Sequence, residues 1–342
     1  MPTLADPMTS PSVRSDRWQR LRPALPGLAL AGGLAAVALP VARWTGSPLV
    51  SPMVLAMVAG ILIRNTVGLG AAFTPGLKLA LRPILRLGIV LLGARLTFEQ
   101  LAAIGLPGIA VVTATLVATF VFTKFAARAL GVDPKLGELI AAGTSICGAS
   151  AVLAVNTVTK AHDEDVAYAI ACVTVFGSLA MVLFPMLAGP LGFTPESYGL
   201  WVGASIHEVA QAVGAGFAHG DVSGEVGTVA KLGRVILLAP LILALGVLAS
   251  RRGAAVAGRA PMPWFVFGFV AVVALNSFVA LPAVAVGGAQ TVSILFLTMA
   301  LAAMGLETDV RKLRLKGLRP LILGAVAWIF IAATAGFLVS FV

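Results

Sequence analysis

The residues best suited to chemistry fall in two clusters of small and polar side chains inside apolar sequence. The first cluster is the run from 143 to 150, which contains Gly143, Thr144, Ser145, Cys147, Gly148 and Ser150. Glycine costs a helix about 1 kcal/mol relative to alanine, and Ser and Thr compete for backbone hydrogen bonds. The run therefore predicts an interrupted helix. Ser150 to Thr159 would begin a half-helix whose free N–H groups favour an anion. The alternative is close packing of helices through small residues.

The second cluster, from Gly203 to Gln211, carries titratable groups. Ser205, His207 and Glu208 follow the glycine, and Gln211 lies four residues after His207 on the same helical face. We expect Glu208 to carry a proton, with His207 as a second group that titrates near neutrality. Glutamine at position 211 breaks the HExxH zinc pattern, so no metal is predicted. The alternatives are an outer loop and a structural His–Glu pair.

Two basic residues follow in another apolar segment. Lys231 and Arg234 are three apart and share a helical face. If they are buried they need partners, and Glu208 or an anionic substrate would serve. If the helix starts late, both would extend to the membrane interface instead. Asn156 follows the first interruption by about two turns and is expected to face the same cavity.

The composition places these clusters in a membrane. Only 11% of the 342 residues are charged and 59% are hydrophobic, with a mean hydropathy of +1.01. A soluble domain carries about 25% charged residues. This chain cannot cover a globule with polar surface, so lipid must be its solvent. The sequence predicts an all-α integral membrane protein.

Eleven stretches are long and apolar enough to be candidate crossings, because a bilayer core takes about 20 apolar residues as helix. The second is short, and the fifth and seventh contain the two clusters, so ten or twelve crossings stay open. The candidates are 25–42, 48–63, 80–96, 106–125, 137–159, 164–188, 197–218, 224–250, 263–281, 287–306 and 319–341.

The basic residues predict the orientation and the domain organisation. With the N terminus inside, 19 of the 24 Lys and Arg residues fall in cytoplasmic segments, whereas Arg43, Arg95 and Lys160 fall outside with Asp163, Glu164 and Asp165. The C terminus is then periplasmic. Basic charge spread over several loops forms no groove for nucleic acid. We predict a disordered cytoplasmic tail over 1–24 and one transmembrane domain over 25–342.

Two internal similarities suggest repeats. Residues 93–106 resemble residues 305–318 at an offset of 212, and each stretch joins two apolar spans. The span numbers make this pair inverted, as in many secondary transporters. Residues 143–146 also match residues 203–206, and 165–166 match 225–226, at an offset of 60. With eleven crossings this second pair is parallel, so the two similarities do not combine into one repeat.

The chain resembles the UPF0324 membrane proteins, the YeiH-like group whose family name assigns sulfate export. The motifs are LGIVLLGARLTFEQL, GTSICGASAVLAV, GASIHEVAQAVGAG and MGLETDVRKL, and the likeness covers nearly everything after the N-terminal tail. The resemblance implies a bacterial inner-membrane transporter with inverted repeats and broken helices, similar to cation/proton antiporters and bile-acid symporters. It implies sulfate or sulfite as the substrate. Unlike those antiporters, the first interruption has no paired Asp.

We therefore expect a proton-coupled secondary transporter, an exporter, of a small inorganic or sulfur-containing anion. The substrate would bind between the interruptions, at Gly143–Ser150, Asn156, Ser205 and Gln211, with Lys231 and Arg234 balancing its charge. His207 and Glu208 would move the protons. The expected partners are the anion, H⁺ and lipid, without a cofactor, metal or nucleic acid, and a homodimer stays open.

Three alternatives remain at this stage. The first is a cation/proton antiporter that uses Glu208 and Lys231 as its ion-exchanging pair. The second is an intramembrane enzyme with His207 and Glu208 as acid and base, although no nucleophile or metal set accompanies them and we expect no enzyme. The third is an anion channel. The sequence contains no Walker A motif, GxSxG elbow or dinucleotide fingerprint, which favours an ion gradient as the energy source.

Overall fold

A computed structural model describes residues 22–45, 51–250, 263–279, 281–314 and 316–342. Every regular element in these ranges is a helix. Residues 1–21 of the predicted tail lie outside the described residues, and its last three, Arg22–Ala24, form a 3-10 turn that leads into the first helix.

Sixteen α-helices make up the described part of the chain. Helices α3 and α4 form one rod, joined by the π-helical turn Ala80–Ile84, and α12 and α13 are separated only by Leu237. In chain order the helices are α1 Leu25–Thr45, α2 Pro52–Thr66, α3 Thr74–Leu79, α4 Leu85–Leu92, α5 Phe98–Ala103, α6 Gly105–Ala129, α7 Pro134–Ser145, α8 Ala149–Thr159, α9 Asp163–Leu187, α10 Pro195–Ser205, α11 Val209–His219, α12 Asp221–Ile236, α13 Leu238–Ser250, α14 Trp264–Val279, α15 Ala283–Glu307 and α16 Leu318–Val339.

Within the described ranges, six helical stretches are long and apolar enough to cross a membrane. They are Arg22–Thr45, Gly105–Ala129, Asp163–Leu187, Asp221–Leu248, Ala283–Glu307 and Leu318–Val339. Pro52–Thr66, Ala149–Thr159 and Trp264–Val279 are shorter apolar helices. The prediction of an all-helical membrane protein is confirmed.

The two predicted helix interruptions are present, but each one is the tip of a hairpin. Helix α7 ends at Ser145 and α8 begins at Ala149. The start of α7 lies beside the end of α8, because Lys135 Nζ donates to the Lys160 carbonyl at 2.9 Å and Thr159 Oγ1 to Glu138 Oε2 at 3.0 Å. A continuous helix would separate such residues by about 30 Å. We call residues 134–160 hairpin 1.

Hairpin 2 comprises residues 195–219. Helix α10 ends at Ser205 and α11 begins at Val209. The phenol of Tyr198 donates to the Ala215 carbonyl at 3.2 Å, and its ring centroid lies 4.4 Å from that of His219. The start of α10 therefore lies beside the end of α11.

Because each hairpin returns to the face from which it starts, the prediction that 137–159 and 197–218 each cross the membrane is wrong. Each arm has 11 or 12 residues, which is about half the thickness of a bilayer core. The prediction that Asp163–Asp165 and Lys316 lie on opposite faces is also wrong, because Lys316 Nζ lies 2.9 Å from Asp165 Oδ1. Residues 160–165 thus share one face with Lys316, which we call the Lys316 face. Hairpin 2 starts from the opposite face, beside Arg95, which we call the Arg95 face.

The helices pack in two groups. Helix α15 packs along α2 and α4, and α14 packs against α4; together with α1, α3 and α5 they form the flanking group. Helices α6 to α13 and α16 form the hairpin group, in which α12 packs along both arms of hairpin 2. Gly199 and Gly203 allow this approach, because a Cβ at Gly203 would lie 2.5 Å from the Gly227 carbonyl oxygen.

The flanking group contains matched polar contacts at a constant sequence offset. Asn65 Nδ2 donates to the Thr308 carbonyl at 2.9 Å, and the Val310 amide donates to Asn65 Oδ1 at 3.0 Å. Elsewhere in the group, Asn276 Nδ2 donates to the Leu96 carbonyl at 3.2 Å and the Phe98 amide to Ser277 Oγ at 2.9 Å. Positions 308 and 310 lie 212 residues after 96 and 98, the offset seen in the sequence.

Candidate functional site

The tips of the two hairpins meet at Lys231. Its ammonium donates to the carbonyls of Ile146 at 2.7 Å and Ile206 at 2.6 Å, and also to the carbonyl of His207. An ammonium has three N–H donors, so these contacts occupy all of them. The carbonyls belong to the C-terminal ends of α7 and α10, where the helix dipole is negative and backbone acceptors are free. Lys231 therefore joins the two half-helix ends.

Arg234 repeats this arrangement one turn further along α12. Its guanidinium donates to the carbonyls of Thr144, Ser145, Gly203 and Ile206 at distances between 2.9 and 3.2 Å. Both cations are completely buried, so of the two alternatives from the sequence, burial within the protein and extension to the membrane interface, the structure shows burial. Glu208, one of the two partners considered for Lys231, forms no ion pair with it among the described side chains, and backbone carbonyls bind the ammonium instead.

The Glu208 carboxylate lies at the N-terminal, positive ends of the other two half-helices, α8 and α11. It is the N-cap of α11, where its carboxylate and the Gln211 side chain form a reciprocal capping box. Glu208 Oε1 also accepts from the Ala149 amide, the first residue of α8, at 2.5 Å. Helix N termini favour anions. The carboxylate therefore occupies a position where a free anion would also be stabilised.

Gly148 and Gln211 fix this carboxylate. Gly148 has a φ of +68°, and a Cβ there would lie 2.0 Å from Glu208 Oε1, so only glycine fits. Gln211 Oε1 accepts from the Glu208 amide at 3.2 Å, and its Nε2 donates to the Thr174 carbonyl and to Ser178 Oγ at 3.1 Å. Gln211 is fully buried and acts here as a brace between hairpin 2 and α9.

A cavity of about 310 Å³ leads from the Lys316 face to Glu208. The hairpin group contributes Glu208, Ala149, Ser150 and Thr174 to its wall. The flanking group contributes the charged residues Arg82 and Glu307, and the segment that follows α15 contributes Asp309 and Lys312. Among the predicted site residues, Ser150 and Glu208 line this cavity.

The other predicted residues lie around the hairpin tips without lining the cavity. Gly143, Thr144, Ser145, Cys147 and Ser205 are buried, and the hydroxyls of Ser145 and Ser205 donate to carbonyls of their own helices. His207 is completely buried, and neither ring nitrogen has a hydrogen-bond partner. Asn156 does not face the cavity as expected: its Oδ1 accepts from the Ala161 amide at 2.8 Å, at the far end of hairpin 1.

Sequence reasoning missed several residues of this site. Ala149 carries no functional side chain, and its role comes from its amide at a helix start. Glu307, Asp309 and Lys312 were noticed only as part of a repeated motif. That motif ends an apolar helix with charged residues, a pattern that indicates a membrane interface and does not by itself indicate a cavity.

Comparisons with known proteins agree with the resemblance in the sequence. A family described as Conserved hypothetical protein 698 matches residues 26–324. The UPF0324 membrane protein PA5383 of Pseudomonas aeruginosa is 38% identical over 92% of this chain and 93% of its own. The UPF0324 inner membrane protein YeiH of Escherichia coli K12 is 37% identical, over 91% and 93% of the two chains. The UPF0324 membrane protein TauZ of Paracoccus denitrificans is 39% identical, over 85% and 87%. No solved structure matches this chain. With a family match over most of its length and relatives of this identity, the chain belongs to the UPF0324 family of membrane proteins.

Proposed function

We propose that this protein is a secondary transporter of a small inorganic or sulfur-containing anion, coupled to protons through Glu208. The observation that carries the proposal is the cavity that ends at a carboxylate on the N termini of two half-helices. A site at mid-membrane built from interrupted helices is typical of secondary transporters.

The charge of the site favours an anion. Lys231 and Arg234 contribute two buried positive charges, and an ionised Glu208 contributes one negative charge. The dipoles of the four half-helix ends nearly cancel, because two negative and two positive ends converge. The site therefore has a formal charge of about +1, which rises to about +2 when Glu208 is protonated. Both states attract an anion, the protonated state more strongly.

The same geometry suggests how protons would couple to transport. Lys231 and Arg234 are already bonded to carbonyls, so the donors next to Glu208 that an anion would use are the Ala149 amide and the Ser150 hydroxyl. Arg82 and Lys312 are cationic donors elsewhere on the cavity wall. The Glu208 carboxylate holds the Ala149 amide. We propose that a proton on Glu208 releases this amide and that the anion takes the place of the carboxylate. We assign the proton to Glu208 rather than His207 because Glu208 lines the cavity.

For the membrane topology we propose nine crossings and two re-entrant hairpins in place of eleven crossings. Hairpin 1 and hairpin 2 then enter from opposite faces, so the similarity at offset 60 becomes inverted, as the similarity at offset 212 already was. The matched contacts of Asn65 and Asn276 support an inverted repeat. Its parts differ in order, because residues 93–106 precede hairpin 1 in the first half, whereas the matching residues 305–318 follow hairpin 2 in the second half.

The orientation follows from the basic residues. With the Lys316 face cytoplasmic, Lys160 joins the cytoplasmic set, and 20 of the 24 Lys and Arg residues lie on that side by the order of the crossings. The N terminus is then cytoplasmic and the C terminus periplasmic, in the inner membrane. The direction of transport, expected to be export, stays a prediction from the family name.

Transport in proteoliposomes tests the proposal. We expect saturable uptake of sulfite or sulfate that rises as the pH falls, and a Glu208→Gln variant whose uptake no longer depends on pH. Glu138→Gln is the matched control, because that carboxylate pairs with Lys124 at 2.7 Å and does not line the Glu208 cavity. Wild-type pH dependence in Glu208→Gln would contradict the coupling role. A flux that does not saturate would indicate a channel.

A second candidate function is cation/proton exchange, favoured by the three carboxylates of Glu208, Glu307 and Asp309 on the cavity wall. Sodium would then compete with the proton on Glu208. Proton release on addition of Na⁺, without release or uptake on addition of sulfite, would favour this candidate over anion transport. We propose neither a catalytic reaction nor a cofactor.

A further inference from the structure

On the Arg95 face, a cluster of polar residues joins the flanking group to the hairpin group. Arg95 NH2 lies 2.9 Å from Asp221 Oδ2 and 3.3 Å from Glu225 Oε1. Gln100 Nε2 donates to Glu225 Oε2 at 3.4 Å, and the Arg95 guanidinium lies 5.4 Å from the ring centroid of Phe217. Arg95 and Gln100 belong to the flanking group, and the other residues belong to the hairpin group. We call Arg95, Gln100, Asp221 and Glu225 the Arg95 cluster.

The two faces of the molecule differ in their access to Glu208. From the Lys316 face, the cavity between the two groups reaches Glu208 and Ser150. On the Arg95 face, another cavity of about 430 Å³ lies between the groups, but its wall reaches only residues 217–219 of hairpin 2, together with Gly220 and Asp221 at the start of α12. Below it, α11 is closely packed: Val209, Ala210 and Val213 are buried, and a Cβ at Gly214 would lie 2.2 Å from the Met181 methyl carbon.

Helix α11 is the arm of hairpin 2 that returns to the Arg95 face, just as α8 is the arm of hairpin 1 that returns to the Lys316 face. The difference is that, among the described residues, the cavity on the Arg95 face does not lead along α11 to the hairpin tips. Ser150 and Ala210 are each the second residue of the returning arm of a hairpin, and they lie 60 positions apart. Ser150 is exposed in its cavity, whereas Ala210 is buried.

We propose that the Arg95 cluster is the gate that keeps the Arg95 face closed while the Lys316 face is open. This inference rests on the proposed transport function. When the cluster separates, the hairpin group moves relative to the flanking group, the α11 side of the hairpin tips becomes accessible from the Arg95 face, and the Ser150 cavity closes. The pair between Arg95, whose side chain is 12% exposed, and Glu225, whose side chain is 16% exposed, is partly buried and then stabilises one of the two states selectively.

Thiol labelling from each side of the membrane tests the gate without a substrate. Ser150→Cys and Ala210→Cys are placed singly in the native chain, whose own Cys147 and Cys172 are buried and serve as the unlabelled background. A membrane-impermeant maleimide is added to vesicles of either orientation. With the gate intact, we expect Ser150→Cys to react from the Lys316 face and Ala210→Cys to stay unreactive.

Adding Arg95→Glu should reverse this pattern. We expect Ala210→Cys to react at least several-fold faster from the Arg95 face and Ser150→Cys to react more slowly from the Lys316 face. Arg95→Glu with Glu225→Arg, which restores opposite charges, should return both rates toward the starting values. Lys316→Glu, which breaks the pairs with Asp165 and Glu164 on the other face, is the matched control and should not expose Ala210→Cys.

Unchanged labelling in a folded Arg95→Glu protein, or equal exposure of Ala210→Cys in the Lys316→Glu control, would overturn the gate. Exposure of Ala210→Cys without protection of Ser150→Cys would also overturn it, because both paths would then be open together as in a channel. The labelling does not depend on which ion is carried. A missing sulfite flux in liposomes alongside the expected labelling would refute the proposed substrate and leave the gate intact.

Discussion

At the residue scale, the two buried cations are better explained as structural clamps than as ligands of a substrate. Lys231 and Arg234 bind carbonyls at the ends of α7 and α10, positions where a buried half-helix would otherwise leave acceptors unpaired. A buried acceptor without a partner costs about 1–3 kcal/mol. The cations thus supply the missing donors, and their charge reaches the cavity as an electrostatic field.

This role predicts a loss of stability when Lys231 is removed. Lys231→Met leaves three carbonyls without their donor, so we expect the free energy of unfolding to fall by about 3 kcal/mol or more. The apparent melting temperature in detergent, followed by size-exclusion chromatography without added anion, measures it. Lys124→Met is the control, because a half-exposed ion pair contributes about 1 kcal/mol or less. A Lys231→Met protein of unchanged stability that fails to bind sulfite would instead support the substrate contact expected from the sequence.

Gly148 gives a second prediction at this scale. Gly148→Ala forces a side chain into a backbone conformation that costs about 1–3 kcal/mol, and its Cβ would displace the Glu208 carboxylate. We expect lower thermal stability together with transport that depends less on pH. Gly233→Ala is the control: it lies within α12 beside Arg234, and its Cβ would meet no atom within 4 Å. That change should be neutral or stabilising by up to about 1 kcal/mol. Equal behaviour of the two variants would contradict the close fit at Gly148.

At the element scale, two short hairpins accomplish what long interrupted helices were expected to do. Each hairpin brings one C-terminal and one N-terminal helix end to its tip, so the tips together present two negative and two positive dipole ends. The negative ends meet the cations and the positive ends meet Glu208. An irregular backbone at membrane depth is tolerated when protein or water surrounds it, and the tips satisfy this condition.

The hairpins make a prediction about which loops share a face. The test replaces His162 and Glu196 singly by cysteine. The two residues lie at the starts of α9 and α10, and both native side chains are exposed. We expect an impermeant thiol reagent applied to intact cells to label Glu196→Cys and to reach His162→Cys only after permeabilisation. Eleven full crossings would give the reverse result for both positions. Arg311→Cys, on the Lys316 face, serves as the internal reference.

At the scale of the whole molecule, two groups of helices enclose the path to the site. At the Arg95 face, polar contacts join the two groups and the cavity between them does not reach Glu208, whereas the cavity at the Lys316 face does. A molecule with related halves and one open path has a natural second state, in which the two faces exchange roles. Residues 212 positions apart in the flanking group, and residues 60 positions apart in the two hairpins, are the pairs that would exchange environments between the two states.

The sequence predicted a large part of this fold and some of the site. The ends of α1, α6, α9 and α16 were close to those observed, because long apolar runs leave little freedom in a membrane. The interruptions at Gly148 and Glu208 were also predicted, since glycine and hydroxyl residues weaken a helix locally. The position of Asn156 was wrong and the carbonyl partners of Lys231 were not predicted, because both depend on which way the chain turns after the interruption.

By itself, the sequence determined that the chain resides in a membrane, that it belongs to the UPF0324 family, and that two helices break, the second beside His207 and Glu208. The membrane location and the helix breaks follow from composition and local propensity, and the family follows from similarity of sequence to its members, so none of the three needs a long-range contact. Only the tertiary structure decided that each broken helix folds back as a hairpin. Hydropathy cannot separate one crossing of about 25 residues from two arms of half that length, since both bury the same apolar residues. The contacts of Lys135 with Lys160 and of Tyr198 with Ala215 make that distinction.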